Sequence, residues 1–163
     1  MQIRPVQPTD WPAMAAIYQQ GIDTGNATME TQAPSPETMA ASYMASPQLV
    51  AVDGDTVIGY ALLTAVSGRC IFAGVAEVSL YIGAAYRGKG VGQQLLNRLI
   101  ADSEEKNLWT LQASILRENT ASIALHKRCG FREIGYHERI GKRAGIWRDI
   151  LLLERRSPTV GID

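Results

Sequence analysis

The sequence predicts a mixed α/β (α+β) fold in which one β-sheet carries helices on its faces. Three patterns lead to this prediction: a β-hairpin signal in residues 48–63, a long amphipathic helix in residues 90–106, and alternating strand and helix signals in the rest of the chain. A length of 163 residues suits one compact domain. We therefore expect a single domain over residues 1–156, followed by a polar tail over residues 157–163.

The first third of the chain predicts a short strand and two helices. Residues 2–6 are extended, and residues 9–12, Thr-Asp-Trp-Pro, supply a capping residue followed by proline, the usual opening of a helix. Residues 21–36 are rich in Gly, Thr, Asn and Pro, which indicates a long connection of the kind that often lines a site. A serine before proline and glutamate opens a second, short helix over residues 35–45.

The middle of the chain contains the clearest strand and helix patterns. Residues 48–52 and 56–63 flank an Asp-Gly-Asp turn and form the predicted hairpin. Residues 75–82 lie between two glycines and alternate in polarity, which predicts another strand. Residues 90–106 carry an apolar stripe with a period of 3.6 residues, so this is the longest predicted helix.

The last third of the chain is predicted to hold a strand, a short helix and two final strands, at residues 109–116, 119–128, 131–139 and 146–153. Gly130 ends the helix. The final strands flank a loop over residues 141–145, and the polar chain from Arg155 onward is expected to be frayed. The element order predicts a mixed sheet with helices on its faces.

Charge and cysteine content argue against several classes of function. Sixteen basic residues balance sixteen acidic residues, so no electrostatic attraction to nucleic acid is expected. Cys70 and Cys129 lack the paired spacing of metal sites or disulfide scaffolds, which favours a reduced, cytoplasmic setting without a bound metal. The chain has no signal-peptide pattern and no apolar stretch of membrane-spanning length, so we expect a soluble protein without a membrane partner.

A glycine-rich turn, residues 87–92, joins the strand at 75–82 to the long helix. It consists of Arg87, Gly88, Lys89, Gly90, Val91 and Gly92. Glycines let the backbone approach a phosphate closely, and the first free amides of a helix attract anions. A ligand with a diphosphate is therefore the expected occupant, and the alternative is a turn that only links strand to helix. The glycine spacing matches neither the Walker P-loop nor a dinucleotide fingerprint.

The glycine-rich turn resembles the acetyl-CoA loop of the GNAT acetyltransferase family, with Arg87, Gly90 and Gly92 in its defining places. Residues 119–131 resemble the second cofactor segment of that family. The resemblance implies the GNAT fold, a mixed and mostly antiparallel sheet of about six to seven strands with helices on both faces. It also implies an N-acetyltransferase with acetyl-CoA as cosubstrate. The cofactor-binding residues that it implies are Leu80, Tyr81, Ile82, Arg87, Gly88, Lys89, Gly90, Val91, Gly92, Asn119 and Ser122.

Within that family the chain is most similar to the phosphinothricin, methionine sulfoximine and arsinothricin acetyltransferases, which act on the α-amine of amino-acid-like substrates. The resemblance implies a small-molecule primary amine as substrate, with Arg69 binding its anionic head and Met29 and Glu30 beside it. Ser67 stands where the arsinothricin enzymes have a second arginine, which argues against phosphinothricin and arsinothricin themselves. Residues 145–149 resemble a segment through which a neighbouring subunit helps to shape the site, so a homodimer is expected.

Glu77 and His126 are the catalytic residues that the resemblance implies. A substrate ammonium must lose its proton before its nitrogen can attack a thioester, and Glu77 stands at the place of the base in the similar enzymes. A structural glutamate paired with an arginine is the alternative. His126 stands where many family members have a tyrosine that assists the departing thiolate, or it packs beside the cofactor. Cys129 is the alternative nucleophile, although packing near the helix end is the favoured interpretation.

Two other functions remain open on the sequence alone. One is a non-catalytic sensor that binds an acyl-CoA. The other is acetylation of protein N-termini or lysines, for which the polar connection at residues 21–36 would cover a peptide groove. The fold and the cofactor site leave the acceptor undetermined.

Overall fold

The computed structural model describes all 163 residues and contains seven strands and four helices. The strands are β1 (Gln2–Pro5), β2 (Leu49–Asp53), β3 (Thr56–Ala65), β4 (Val75–Ile82), β5 (Thr110–Leu116), β6 (Arg132–Arg143) and β7 (Ile146–Arg156). The helices are α1 (Trp11–Asp23), α2 (Pro36–Ala41), α3 (Val91–Glu105) and α4 (Thr120–Arg128). The strands form one sheet in the order β1-β2-β3-β4-β5-β7-β6, and only the β4–β5 pair is parallel. The predicted mixed, mostly antiparallel sheet is confirmed.

Helices cover both faces of this sheet, and a separate apolar cluster lies between the helices and the sheet on each face. Alternate residues of β2 point to opposite sides, because Leu49 and Ala51 join the larger cluster whereas Val50 and Val52 join the smaller one. The larger cluster contains the whole predicted apolar stripe of α3 and side chains of α4, and the smaller contains residues of α1 and α2. None of the four helices is long and apolar enough to cross a membrane.

β4 and β5 separate after three paired positions. Their parallel ladder runs from Val75, opposite Thr110, to Glu77. Beyond that point β4 continues to Ile82 paired only with β3, while β5 continues to Leu116 paired only with β7. The sheet therefore opens into a V between these two strands, and the edge of β4 that faces β5 has unpaired backbone groups there.

α1 extends two residues beyond Gly21, where the predicted connection was to begin, and this part of the prediction is wrong. Gly21 packs against Tyr81, since a Cβ atom built on the glycine would lie 2.8 Å from Cδ1 of that ring. Position 21 is occupied by glycine because β4 approaches α1 closely there. Gly21 does not end the helix. α2 is shorter than predicted, and the connection between α1 and α2, hereafter the α1–α2 loop, spans residues 24–35.

β6 continues to Arg143 through the stretch that was predicted as a loop, so the turn between β6 and β7 contains only Ala144 and Gly145. Gly141, like Gly21, leaves room for a neighbouring side chain, because a Cβ at this position would lie 2.7 Å from Cε of Met29. The predicted fraying from Arg155 is also wrong, since β7 runs to Arg156 and the next residue, Ser157, is buried and donates a hydrogen bond to Glu104 at 2.8 Å.

Candidate active site

The opening between β4 and β5 forms the floor of a cleft of about 990 Å³. Residues 78–82 of β4 and 113–116 of β5 line it, together with the glycine-rich turn except Lys89 and with residues along the length of α4. The α1–α2 loop closes the cleft on the face covered by α1. One continuous cleft thus connects the backbone amides of the glycine-rich turn to the side chains beneath the α1–α2 loop. A cleft of this kind has room for two reactants.

The glycine-rich turn has the geometry of an anion-binding loop. Gly88 and Gly90 have φ angles of 73° and 81°, and a Cβ on either would meet no atom within 4 Å. Glycine is needed there for the left-handed backbone, and the space beside each backbone is open. α3 begins directly after Gly90, with no acidic residue in its first turn, so its first amides are free to donate. The turn therefore fits the diphosphate of acetyl-CoA.

The other residues of the turn differ in how they face the cleft. Nε of Arg87 donates a hydrogen bond to the carbonyl oxygen of Ile82 at 3.2 Å, so this side chain folds back over the end of β4. Lys89 lies outside the lining, with Nζ 5.5 Å from the centre of the Tyr86 ring. Gly92 packs against α4, because a Cβ there would lie 3.0 Å from Leu125.

Leu80, Tyr81 and Ile82 line the cleft along the unpaired edge of β4. The side chains of Leu80 and Ile82 pack on the α3 face, and that of Tyr81 packs on the α1 face. Their side chains therefore belong to the packed layers, whereas their free backbone groups suit an extended, amide-bearing ligand that pairs like an added strand. The pantetheine arm of acetyl-CoA is such a ligand.

α4 begins at the opposite wall of the cleft with a side-chain cap. Oδ1 of Asn119 accepts a hydrogen bond from the amide of Ser122 at 3.3 Å, which is the ordinary N-cap arrangement. Both residues line the cleft. The cap uses one acceptor of Asn119 and leaves its amide group available to a ligand.

His126 lies one turn further along α4 and is almost completely buried, with 3% exposure. Nδ1 is 2.8 Å from the carbonyl oxygen of Ser122, and because a carbonyl only accepts, Nδ1 carries the proton. The ring also packs edge-on against Phe131, with centroids 5.1 Å apart. Burial lowers the pKa of His126 below its ordinary value of 6.5. The neutral ring therefore presents Nε2 without a proton.

Glu77 occupies the point where β4 and β5 separate. Because the pairing of β4 with β3 has no irregularity, Glu77 lies on the same face as Ser79 and Tyr81, which is the face covered by α1. None of the seven ion pairs in the structure includes Glu77, so the expected alternative of an arginine partner is not observed. The carboxylate is half-buried and lines the cleft.

Three tyrosines line the α1 side of the cleft, and the sequence did not single out Tyr18 or Tyr43 for this site. The rings of Tyr18 and Tyr81 meet edge to face, with centroids 4.9 Å apart. Burial raises the pKa of Tyr81 above its ordinary value, so its hydroxyl stays neutral. Met29 and Glu30 of the α1–α2 loop, both predicted near the substrate, line the same region. These positions are dispersed along the chain, and no local pattern connects them.

Arg69 and Cys129 lie away from the cleft. Arg69 is exposed in the connection between β3 and β4, with its guanidinium 5.8 Å from the centre of the Phe72 ring, and it is not part of the cleft lining. Cys129 is buried in the larger apolar cluster, and burial raises the pKa of its thiol. The structure thus brings together the predicted residues except Arg69 and Lys89. No cluster of three or more His, Cys, Asp or Glu side chains could hold a metal ion.

Residues 13–131 match the acetyltransferase (GNAT) family. The chain is 35% identical over 159 residues to a phosphinothricin N-acetyltransferase of Alcaligenes faecalis, a match that covers 94% of this chain and 81% of that protein. It is 34% identical over 160 residues to an L-methionine sulfoximine/L-methionine sulfone acetyltransferase of Pseudomonas aeruginosa, covering 93% and 92% of the two chains.

Solved structures give the same result. A GNAT superfamily phosphinothricin acetyltransferase from Sinorhizobium meliloti in complex with acetyl-CoA superposes with a TM-score of 0.86 at 29% identity, covering 99% of this chain and 96% of that one. A ribosomal-protein-alanine N-acetyltransferase from Brucella melitensis superposes with a TM-score of 0.88 at 30% identity, covering 96% and 100%. The similarity therefore extends over nearly the whole of each chain.

Proposed function

The chain belongs to the acetyltransferase (GNAT) family, and from this premise we propose that it acetylates the primary amine of a small amino-acid-like substrate. As an N-acetyltransferase of the phosphinothricin acetyltransferase type, it uses acetyl-CoA as its cosubstrate. Acetyl-CoA supplies an acetyl thioester when it is bound. The substrate class and the order of the chemical steps are our proposal.

The position of Glu77 is the observation that carries the proposal. It is the unpaired carboxylate at the point where the two cleft walls meet, on the face that the tyrosines and the α1–α2 loop enclose. A substrate ammonium held there can transfer a proton to Glu77, which leaves a neutral nitrogen. That nitrogen then attacks the thioester carbon directly, both reactants being bound at once, as the bond from that carbon to sulfur breaks. CoA leaves as a thiolate that takes up the proton lost by the new amide nitrogen.

The other residues of the cleft bind and orient the reactants. The glycine-rich turn and the start of α3 would hold the diphosphate, and the β4 edge and Asn119 would hold the pantetheine arm. Backbone amides of the β4 edge would polarise the thioester carbonyl. No covalent acetyl-enzyme is required, and the burial of Cys129 with its raised pKa supports this direct route.

We assign His126 a supporting role in which it does not act as an acid. Proton donation from Nε2 would require the imidazolium, which burial disfavours. Nε2 can instead accept a hydrogen bond from an N–H group of the ligand, while the bond from Nδ1 to Ser122 fixes the ring orientation.

The proposal includes a homodimer that forms through the β6–β7 hairpin. β6 is the edge of the sheet, and nearly all of its residues are exposed. Large apolar side chains remain uncovered on the hairpin, namely Ile134, Tyr136, Ile140, Ile146 and Trp147. Exposed apolar side chains concentrated on one part of a surface mark an interaction site, so a second copy is the proposed cover.

A thiol-release assay tests the function. The protein is incubated with acetyl-CoA and, separately, methionine sulfone, methionine sulfoximine, phosphinothricin, ordinary amino acids and an alanine-terminated peptide. Release of CoA thiol with a free amino acid or analogue, and acetylation at its amine by mass spectrometry, support the proposal. Release with the peptide alone would favour acetylation of protein N-termini, and binding of acetyl-CoA without release would favour a sensor.

A further inference from the structure

Arg148 is an almost fully buried cation on β7. The residue is 9% exposed, whereas its neighbour Trp147 is 50% exposed. A guanidinium is never neutral in a protein, and burying it without partners would be costly. The side chain must therefore be stabilised by groups from other parts of the chain.

Three hydrogen bonds to distant residues provide that stabilisation. Nη1 donates to the carbonyl oxygen of Gly25 at 3.0 Å. Nη2 donates to Oδ1 of Asn26 at 2.8 Å and to Oε2 of Glu118 at 3.0 Å. The hydrogen bond with Arg148 is the main cause of a lowered pKa for Glu118, which keeps that carboxylate ionised.

The partners of Arg148 lie on two different walls of the cleft. Asn26 belongs to the α1–α2 loop, which encloses the region of Glu77, and Glu118 directly precedes Asn119, the cap of α4. Asn26 and Glu118 both line the cleft. One guanidinium therefore joins the wall proposed for the amine to the wall proposed for the pantetheine arm.

The start of the α1–α2 loop has no other hydrogen bond to the sheet. Its later part is tied to α1, where the hydroxyl groups of Tyr18 and Thr28 are 3.3 Å apart and the amide of Ala33 donates to Gln19 at 3.1 Å. The amides of Gly25 and Asn26 bond only to Ile22 and Thr24 nearby in the chain. Arg143 of β6 donates to the carbonyl oxygen of Ile22 at 3.0 Å, at the end of α1, but within the loop itself Gly25 and Asn26 are hydrogen-bonded to the hairpin only through Arg148.

We propose that Arg148 is a positioning residue, which holds the α1–α2 loop in register with the turn that precedes α4. The proposal rests on the proposed acetyl transfer, because it concerns the placement of the amine relative to the thioester. Misplacement of reacting groups by about 1 Å can lower a rate on the order of a hundredfold. Loss of Arg148 should therefore affect the amine more than the binding of acetyl-CoA.

The test compares four variants with the wild-type protein. Arg148→Met removes the charge but keeps a long apolar side chain that suits a buried position, and it leaves Glu118, whose side chain is 48% exposed, in contact with solvent. Arg148→Lys keeps the charge without the planar fork. Glu118→Gln keeps an acceptor but removes the opposite charge. Arg132→Met is the matched control, since it removes another arginine–glutamate pair, with Glu154, at the far end of the same hairpin.

Two kinds of measurement are made on each variant. Steady-state kinetics give kcat and KM for the best amine of the screen, and calorimetry gives Kd for acetyl-CoA. Hydrogen exchange followed by mass spectrometry reports on residues 24–30 without any need for an acceptor, so it remains informative even if no amine is acetylated and the proposed function fails.

For Arg148→Met we expect a fall in kcat/KM for the amine of about tenfold or more, a change in Kd for acetyl-CoA below about threefold, and faster exchange confined to residues 24–30 and 117–119. Arg148→Lys and Glu118→Gln should show the same changes in weaker form, and Arg132→Met should show none. Unchanged kcat/KM for the amine together with unchanged loop exchange in Arg148→Met, or faster exchange spread evenly over the sheet, would overturn the proposal. Should Arg148→Met not fold, unchanged loop exchange in both Arg148→Lys and Glu118→Gln would overturn it equally.

Discussion

Glu77 lies opposite Gln112 at the last paired position of the β4–β5 ladder, so its side chain stands where the sheet begins to open. The position is defined by backbone pairing on both sides, with Thr64 of β3 as its other neighbour. A carboxylate held in this way keeps a fixed place relative to a ligand that lies along the free edge of β4. Its chemical role can therefore be tested by a change that preserves shape.

Glu77→Gln should lower kcat/KM for the amine by about a hundredfold or more, the usual contribution of a general base. The loss should become smaller at high pH, where more of the amine is already neutral. A pH–rate profile of the variant checks this, with calorimetry to show that acetyl-CoA still binds. Glu37→Gln, on the exposed surface of α2, is the control. Full turnover of Glu77→Gln at every pH would remove the base assignment.

Gly90→Ala should weaken acetyl-CoA binding by more than about tenfold, because a Cβ there would enter the space proposed for the diphosphate. Gly54→Ala is a matched control, since Gly54 has a φ of 59° in the β2–β3 turn and also has no atom within 4 Å of a built Cβ. Both changes cost about 1–2 kcal/mol of backbone strain. Calorimetric Kd values separate the two effects, and equal Kd values for both variants would contradict the proposed contact.

Lowering the pH should destabilise the protein through His126. Its folded-state pKa lies below the unfolded value of 6.5, so the unfolded chain takes up the proton first. The stabilising contribution is complete above pH 6.5 and decreases as the pH falls towards the folded-state pKa. The free energy of unfolding, measured by urea denaturation at about pH 7.5 and about pH 5.5, should fall more in the wild type than in His126→Asn. Asparagine keeps a donor for the Ser122 carbonyl but does not titrate, and an identical pH dependence in both proteins would be evidence against the neutral histidine.

An amine with a neutral side chain should be a better substrate than one with an anionic side chain. The charged residues on the α1 side of the cleft are Glu30 and Glu77, while its two arginines, Arg87 and Arg128, lie at the glycine-rich turn and at the end of α4. Like charges brought together without compensation are strongly disfavoured. We expect kcat/KM for methionine sulfone to exceed that for phosphinothricin by at least about tenfold. Glu30→Gln should make this ratio of the two kcat/KM values smaller, because it removes one negative charge from the site. A preference for phosphinothricin would indicate a cation that reaches the site from elsewhere.

The β6–β7 hairpin should control the oligomeric state. Light scattering after gel filtration should give twice the mass of the chain for the wild type and the mass of one chain for a Tyr136→Lys, Ile140→Lys double variant. Ile162→Lys, at a more exposed isoleucine in the C-terminal tail, should leave the dimer intact. A monomeric wild-type protein would exclude the proposed dimer.

Local sequence patterns were sufficient to predict the order of the elements and the backbone character of the glycine-rich turn. The bounds of β4 agree with the prediction, and the apolar stripe of α3 is buried throughout. These features depend on side-chain periodicity and on the backbone freedom of glycine, which are properties of neighbouring residues. The same locality explains why the residues of the glycine-rich turn could suggest a diphosphate ligand before the fold was considered.

The roles of residues whose partners are distant in the chain became visible only in the folded protein. Gly21 and Gly141 have the sequence character of helix and strand breakers, yet each is a glycine because Tyr81 or Met29 packs against it. Arg148 gains its proposed role from residues up to 123 positions away. Such contacts arise from packing between elements, and no property of a residue's immediate neighbours encodes them. For this reason the sequence could suggest the proposed cofactor turn, whereas the enclosure of the proposed amine site became evident only in the folded chain.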